Sequence, residues 1–427
     1  MNENNIPNNN AEPYSKKKVS FVHVSSANKS AEKQTAPQMP AQSEQQPRPV
    51  QPYAPAPQPQ ANYSPYPAQQ YSPYPYGQYN PYAGNPYYYG QYPYYNAQFA
   101  TEQYQKQLKI EQAKKKVRFL GNMAGVSILL FLLMNVLVSF FVLIPGIKEL
   151  YTSNSAFQSA FSIVASFLYI FLPFLITYAV IRKREPDVEF FPFKKIKPKR
   201  LILCVPIGLA VCLVGNIITN LIINLLSYAG VTLSQPSDSL AKIDTVPALL
   251  LSLVSTAIMP ALLEEFALRG VIMQPMRKYG TAFAIICSSV IFGVMHGNLI
   301  QAPFAFIVGL GVAFFAIKCD SLWIAVIIHM LNNGYSVIMS FLDNHIKQKT
   351  LDTVNYAVIG VIALLAIICA IILLVSDKDF LRKENGNIAG EDAKILSAGQ
   401  KAFAFFINVP MLVSFAFIAV LTAQYVK

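Results

Sequence analysis

The 427-residue chain is 53% hydrophobic and only 13% charged, too apolar for an ordinary soluble protein of its size. Its net charge of +12 falls mostly in short clusters beside apolar runs, so it argues for a lipid bilayer as partner and against nucleic acid. Several of those runs reach about 20 residues, the length that crosses roughly 30 Å of hydrocarbon. The expected class is an all-α polytopic membrane protein of about eight to nine transmembrane helices with a disordered N-terminal tail.

Residues 1–100 are rich in Pro, Tyr, Gln and Asn, with repeats such as Ser64-Pro-Tyr-Pro and Ser72-Pro-Tyr-Pro-Tyr76. They hold almost no aliphatic side chains, so burial cannot offset the entropy of ordering them. A solvated cytoplasmic tail is expected, its tyrosines and prolines being possible docking sites for a partner. No apolar h-region opens the chain, so the first span is expected to act as the insertion signal. Residues 101–121 read as a basic juxtamembrane helix containing Lys106, Lys109, Lys114, Lys115, Lys116 and Arg118.

Spans are expected at 122–144, 156–181, 201–228, 247–278, 281–299, 302–318, 321–341, 354–375 and 402–423. They divide into N-terminal helices (122–246), a core (247–341) and C-terminal helices (342–427). Pro145-Gly146 ends the first span. Basic residues gather after alternate spans: Arg182 to Arg200, Arg277 and Lys278, Lys318, then Lys378, Arg382 and Lys383. Only Lys148, Lys242, Lys347 and Lys349 stand in the opposite loops. This bias puts the N-terminus in the cytoplasm, with a plasma membrane as the expected location. Asn216, Asn220 and Asn224 share one helical face, expected to look toward other helices as hydrogen-bonding glue or as the wall of a hydrated path. Of the five cysteines, Cys204, Cys212, Cys287 and Cys369 lie in apolar runs and Cys319 in a short loop. With no CxxC pair they read as packing residues.

Chemistry concentrates in the fourth span, at Pro260-Ala-Leu-Leu-Glu264-Glu265-Phe-Ala-Leu-Arg269. Ionisable groups at such depth are costly and mark function by default. Glu265 and Arg269, four apart, are expected to pair. That leaves Glu264 uncompensated, as a general base requires. Pro260 is expected to kink the helix and free a backbone carbonyl. The bland alternative is a helix that ends at the interface with its acids in water. His296 follows Phe292 by one turn in the next span, and His329 precedes Asn333 by one turn two spans later. A lone intramembrane histidine is commonly a satisfied helix contact. Two of them with a buried glutamate shift the reading to a site. The remaining histidines, His23 and His345, lie in the tail and a loop.

Glu264-Glu265-Phe-Ala-Leu-Arg269, Phe292-Gly-Val-Met-His296 and His329-Met-Leu-Asn-Asn333 together resemble the CPBP intramembrane proteases. These include the type II CAAX prenyl endopeptidases and the bacterial Abi or bacteriocin-processing proteins. The resemblance covers about residues 247–341. It implies an intramembrane endopeptidase acting on a membrane-associated or lipidated peptide or protein. In that reading Glu264 and His296 activate water, and His329 and Asn333 stabilise the oxyanion. Glu265, Arg269 and Phe292 support the site. Two chemistries stay open: a metal-free glutamate mechanism, or Zn2+ held by Glu264, His296 and His329. A site-2 His-Glu-x-x-His, a serine motif in a span and a presenilin-type Gly-x-Gly-Asp are all missing from the sequence. A non-catalytic scaffold of the same fold and a proton-coupled transporter are the other classes to weigh.

One length argument needs the structure. Counted from Pro247, Glu264 stands about 25 Å along its span, whereas His296 stands about 22 Å from the cytoplasmic start of the next. The two meet only if the fourth span runs on toward Lys278, if the fifth starts deeper, or if either tilts.

Overall fold

A computed structural model describes residues 93–234, 243–382, 390 and 392–426. Residues 1–92 of the tail expected at 1–100 lie outside them. The regular secondary structure of the described residues is helical, apart from one isolated bridge between Leu233 and Val426. The first helix, α1, runs without a break from Pro93 to Val142. It therefore begins inside the stretch expected to be tail, and the basic segment is continuous with the first span.

The short α2 (Pro145–Ser153) follows, then α3 (Ser155–Arg184), α4 (Pro198–Tyr228) and α5 (Val246–Tyr279). Next come the shorter α6 (Thr281–Met295) and α7 (Ala302–Lys318). Then follow α8 (Leu322–Asp343), α9 (Gln348–Ser376), α10 (Ala398–Phe406) and α11 (Val409–Ala423). Among the described residues six helices (α1, α3, α4, α5, α8 and α9) are long and apolar enough to cross a membrane. The α10–α11 pair, bent by 73°, can supply a seventh. Counting α6 and α7 as well gives nine, the upper expectation. Outer faces carry Leu137, Ile217, Leu364 and Ile371 exposed, the signature of a chain whose solvent is lipid.

Four ion pairs tie helix ends together on one face of the bundle. Lys278 meets Glu185 at 2.6 Å, Arg200 meets Asp377 at 2.6 Å, Lys116 meets Asp392 at 2.8 Å, and Lys194 meets Asp320 at 2.9 Å. Asp320, and then Glu189, hold the Lys194 ammonium above the usual lysine value. The opposite face gathers other ends: His345 Nε2 contacts the Asp244 carbonyl at 3.1 Å, and the Leu233–Val426 bridge closes there. Every basic cluster of the sequence among the paired residues thus shares one face.

Two apolar cores fill the bundle. One joins α1, α3, α5, α6 and α11 through residues such as Ile128, Phe174, Leu268, Ile291 and Met411. The other joins α4, α7, α8 and α9 through Cys212, Val312, Ile328 and Leu373. Close approach of α1 to the α10–α11 bend depends on Gly121 and Gly125. A Cβ at Gly121 would collide with the Phe405 carbonyl, and one at Gly125 would lie 2.5 Å from the Met411 nitrogen. Small residues at such an interface replace the hydrophobic effect as the means of packing in lipid. Gly121→Val meets backbone, which cannot move aside. Detergent-purified variant protein is expected to unfold at lower temperature, by an overpacking cost of about 1–3 kcal/mol.

The asparagine stripe does not face other helices. Asn216, Asn220 and Asn224 are all exposed. The face of α4 that packs holds Cys204, Gly208, Cys212, Gly215 and Thr219 instead. A Cβ at Gly208 would strike Ile328, and one at Gly215 would press on Phe304 at 3.3 Å. Small side chains set the rotation of α4, and the amides are turned outward by about 100° per residue.

Candidate active site

The α5–α6 hairpin resolves the mismatch in height. The helix of α5 continues to Tyr279, and Gly280, at φ +126°, makes the turn. Glu264 lies 16 residues before Gly280 and His296 lies 16 after it. At the helical rise each stands about 24 Å from the turn, so the hairpin brings both to one level.

Within α5 the helix widens to π geometry over Leu253–Ile258 and again over Glu265–Met273. Such bulges recur at functional sites because they redirect successive side chains. Between them stands Pro260, which has no N–H to give to the carbonyl one turn earlier. That carbonyl belongs to Thr256, and it accepts from Asn333 Nδ2 at 3.2 Å. The Asn333 carbonyl oxygen accepts in turn from Asn332 Nδ2 at 3.1 Å. Asn333 thus ties α8 to the break in α5. Asn333→Ala is expected to remove this tie to the Thr256 carbonyl and lower thermal stability by about 0.5–1.5 kcal/mol. A melting temperature equal to wild type would remove this contact from the account.

Glu265 and Arg269 are both wholly buried, and Arg269 Nη1 donates to Glu265 Oε1 at 2.9 Å. Arg269 Nη2 reaches the Gly309 carbonyl of α7 at 3.3 Å. Its guanidinium carbon lies 4.5 Å from the centre of the Phe292 ring. The same Glu265 Oε1 accepts from His329 Nδ1 at 3.0 Å. A carboxylate only accepts, so Nδ1 of His329 carries the proton. Its other nitrogen, Nε2, is turned to Glu264 Oε2, 3.7 Å away. Phe292 packs edge-on against both imidazoles, with ring centroids 5.1 Å from His296 and 5.8 Å from His329.

His296 donates from Nδ1 to the Phe292 carbonyl at 2.8 Å, which leaves Nε2 as the bare, basic nitrogen. Gly297, at φ +66°, turns the chain just beyond it. Asn298 then fixes the turn: its Nδ2 donates to the His296 carbonyl at 2.9 Å, and its Oδ1 accepts from the Gln301 N–H at 2.8 Å.

Glu264 and His296 line one cavity of about 360 Å³. The Glu264 side chain is 20% exposed, against 0% for its neighbour Glu265. Across the cavity stand Ser162, Ser166 and Tyr169 of α3 and Asn135 of α1. Sequence reading missed these residues and Asn298. The i, i+4, i+7 spacing of Ser162, Ser166 and Tyr169 was the available signal for a polar face. His329 and Asn333 are not among the cavity-lining residues. Among the described residues no three His, Cys, Asp or Glu side chains converge as a metal-ligand set. Glu264, His296 and His329 as arranged do not fit Zn2+, and no step below passes through a metal.

Residues 246–335 match the family described as type II CAAX prenyl endopeptidase Rce1-like. The chain is 24% identical over 238 residues to the membrane-embedded CAAX protease MroQ of Staphylococcus aureus, covering 53% of this chain and 94% of that one. It is 27% identical over 119 residues to YdiL of Bacillus subtilis, named as a membrane peptidase, covering 27% of this chain and 49% of YdiL. The match therefore spans about half the length of YdiL and nearly all of MroQ. No solved structure matches the chain. Glu264, Glu265, Arg269, Phe292, His296, His329 and Asn333 all fall inside the matched stretch, so the part of the chain that is similar to the Rce1-like CAAX family is the part that builds this site.

Proposed function

We propose that the protein is an intramembrane endopeptidase that hydrolyses a peptide bond in a membrane-associated or lipidated peptide or protein by a metal-free glutamate mechanism. The observation that carries this reading is the shared cavity of Glu264 and His296, with the His329 ring 3.7 Å from Glu264. A water held between the Glu264 carboxylate and the bare Nε2 of His296 loses its proton to Glu264 as its oxygen attacks the scissile carbonyl. Glu264 later returns that proton to the leaving amine, so acid and base are one group.

His329 is the proposed oxyanion donor. As a donor it would carry a proton on Nε2 as well as the one on Nδ1 that Glu265 holds. Its Nε2–H then faces the developing oxyanion, an interaction worth about 3–4 kcal/mol in well-studied hydrolases. Asn333 keeps one amide N–H on Thr256 and has a second to offer as a further donor. Glu265, Arg269 and Phe292 hold the rings in place. The basic face, and with it the N-terminal tail, is proposed to be cytoplasmic, in a plasma membrane.

The test is a cleavage assay with the full-length protein in lipid vesicles and a membrane-anchored peptide. Cleavage is expected, at a rate that a strong chelator leaves unchanged. Absence of cleavage from a panel of anchored peptides would overturn the protease reading. Loss of activity on chelation, restored by Zn2+, would overturn its metal-free form.

A further inference from the structure

The α6–α7 hairpin is too short to cross the bilayer fully. From Thr281, at the face of the basic ion pairs, His296 lies about 22 Å along the rise, against roughly 30 Å of hydrocarbon. The turn at Gly297–Gln301 therefore ends below the far surface and leaves a recess there. Two cavities flank that turn and share His296 as a wall. One is the 360 Å³ cavity holding Glu264. The other, of about 290 Å³, runs between α1, α6 and the end of α11, past Ser139, Gln424 and Tyr425.

Burial is asymmetric about the site. On the basic side, every residue of α5 from Ala267 to Arg277 is buried. On the other side, Thr256 and Gln301 line the cavity and are exposed. Its polar wall (Ser162, Ser255, Thr256) lies on the far-side portions of α3 and α5. Neither cavity is lined by a lysine or arginine, and Glu264 is the sole carboxylate in the pair. Arg269 is wholly buried on Glu265.

The geometry points to a cleft entered from the membrane face opposite the basic loops, the extracytoplasmic face, and occupied by an uncharged internal segment flanking the membrane anchor of its substrate. A chain lying across both cavities would pass His296 with peptide bonds on either side. A free C-terminal carboxylate would meet the Glu264 carboxylate, with no lysine or arginine among the residues lining either cavity to receive it. This assignment rests on the protease reading for its substrate but not for its direction of entry.

Sidedness is read by cysteine labelling in the full chain carrying Glu264→Gln, so that no catalysis is needed, and Cys319→Ser, so that the remaining native thiols are the buried ones. Thr256→Cys and Gln301→Cys should react with a membrane-impermeant maleimide in intact cells. Lys183→Cys, on the basic face, should react only after permeabilisation. If both cleft cysteines behave like Lys183→Cys, the direction of entry is overturned, whether or not the protein proves to be a protease. Two positions guard against one variant failing to fold. The occupant is read by protection. A single-span peptide with a long Ser/Ala-rich outer flank should abolish labelling of Thr256→Cys, and the same peptide cut to end in a free carboxylate at cleft depth should not. Equal protection by both would overturn the choice of an internal segment.

Discussion

Glu264→Gln is expected to lower peptide cleavage in vesicles by about 10²–10⁴-fold, the range for removing a general acid–base group. Glutamine keeps the size of the side chain and one acceptor oxygen, but it cannot take the proton of the attacking water. Glu264 is one-fifth exposed and faces a cavity, so no buried partner is orphaned by the change. Thermal stability should stay within about 0.5 kcal/mol of wild type. Activity and folding are thereby separated in one variant. Wild-type cleavage by Glu264→Gln would remove Glu264 from the chemistry.

The second large effect is on folding. Arg269→Ala strips the cation from a Glu265 carboxylate with no exposure to solvent. Breaking a buried pair from one side costs about 3–5 kcal/mol, a large share of the 5–15 kcal/mol typical of a folded domain. The Phe292 ring also loses the guanidinium 4.5 Å from its centre, and Gly309 loses a donor. Purified Arg269→Ala should therefore unfold at a much lower temperature or fail to accumulate. Glu265→Leu combined with Arg269→Leu removes both charges, and part of the lost stability should return. Activity should not, since His329 would have lost the acceptor on Nδ1. If the single variant melts like wild type, the ion pair is not what holds α5 against Phe292 of α6, Gly309 of α7 and His329 of α8.

The sequence showed the apolar runs, the Glu265–Arg269 spacing and the three chemical motifs, because each depends on local periodicity. The structure adds what depends on packing across helices. The i, i+4 stripe Asn216, Asn220 and Asn224 looks like glue in one dimension. Yet Gly208 and Gly215, which admit Ile328 and Phe304, decide which face of α4 turns inward. Counting from the start of each span put Glu264 and His296 at different depths. Counting from the turn at Gly280 puts them level, and nothing local to either residue says which origin matters. Pro260 was legible as a break, but its carbonyl partner Asn333 sits on another helix. The wall formed by Ser162, Ser166 and Tyr169 was passed over because three hydroxyls in an apolar run carry little weight until Glu264 is seen opposite them.

At the centre stands the claim that one water is shared by the carboxylate of α5 and the imidazole that ends α6. A double-mutant cycle on cleavage rate, with Glu264→Gln, His296→Ala and the pair, tests it directly. Groups that act on the same water are strongly non-additive, so the double variant should cleave no more slowly than the worse of the two singles. Losses that multiply would mean that the two side chains act independently, and the shared site would be refuted.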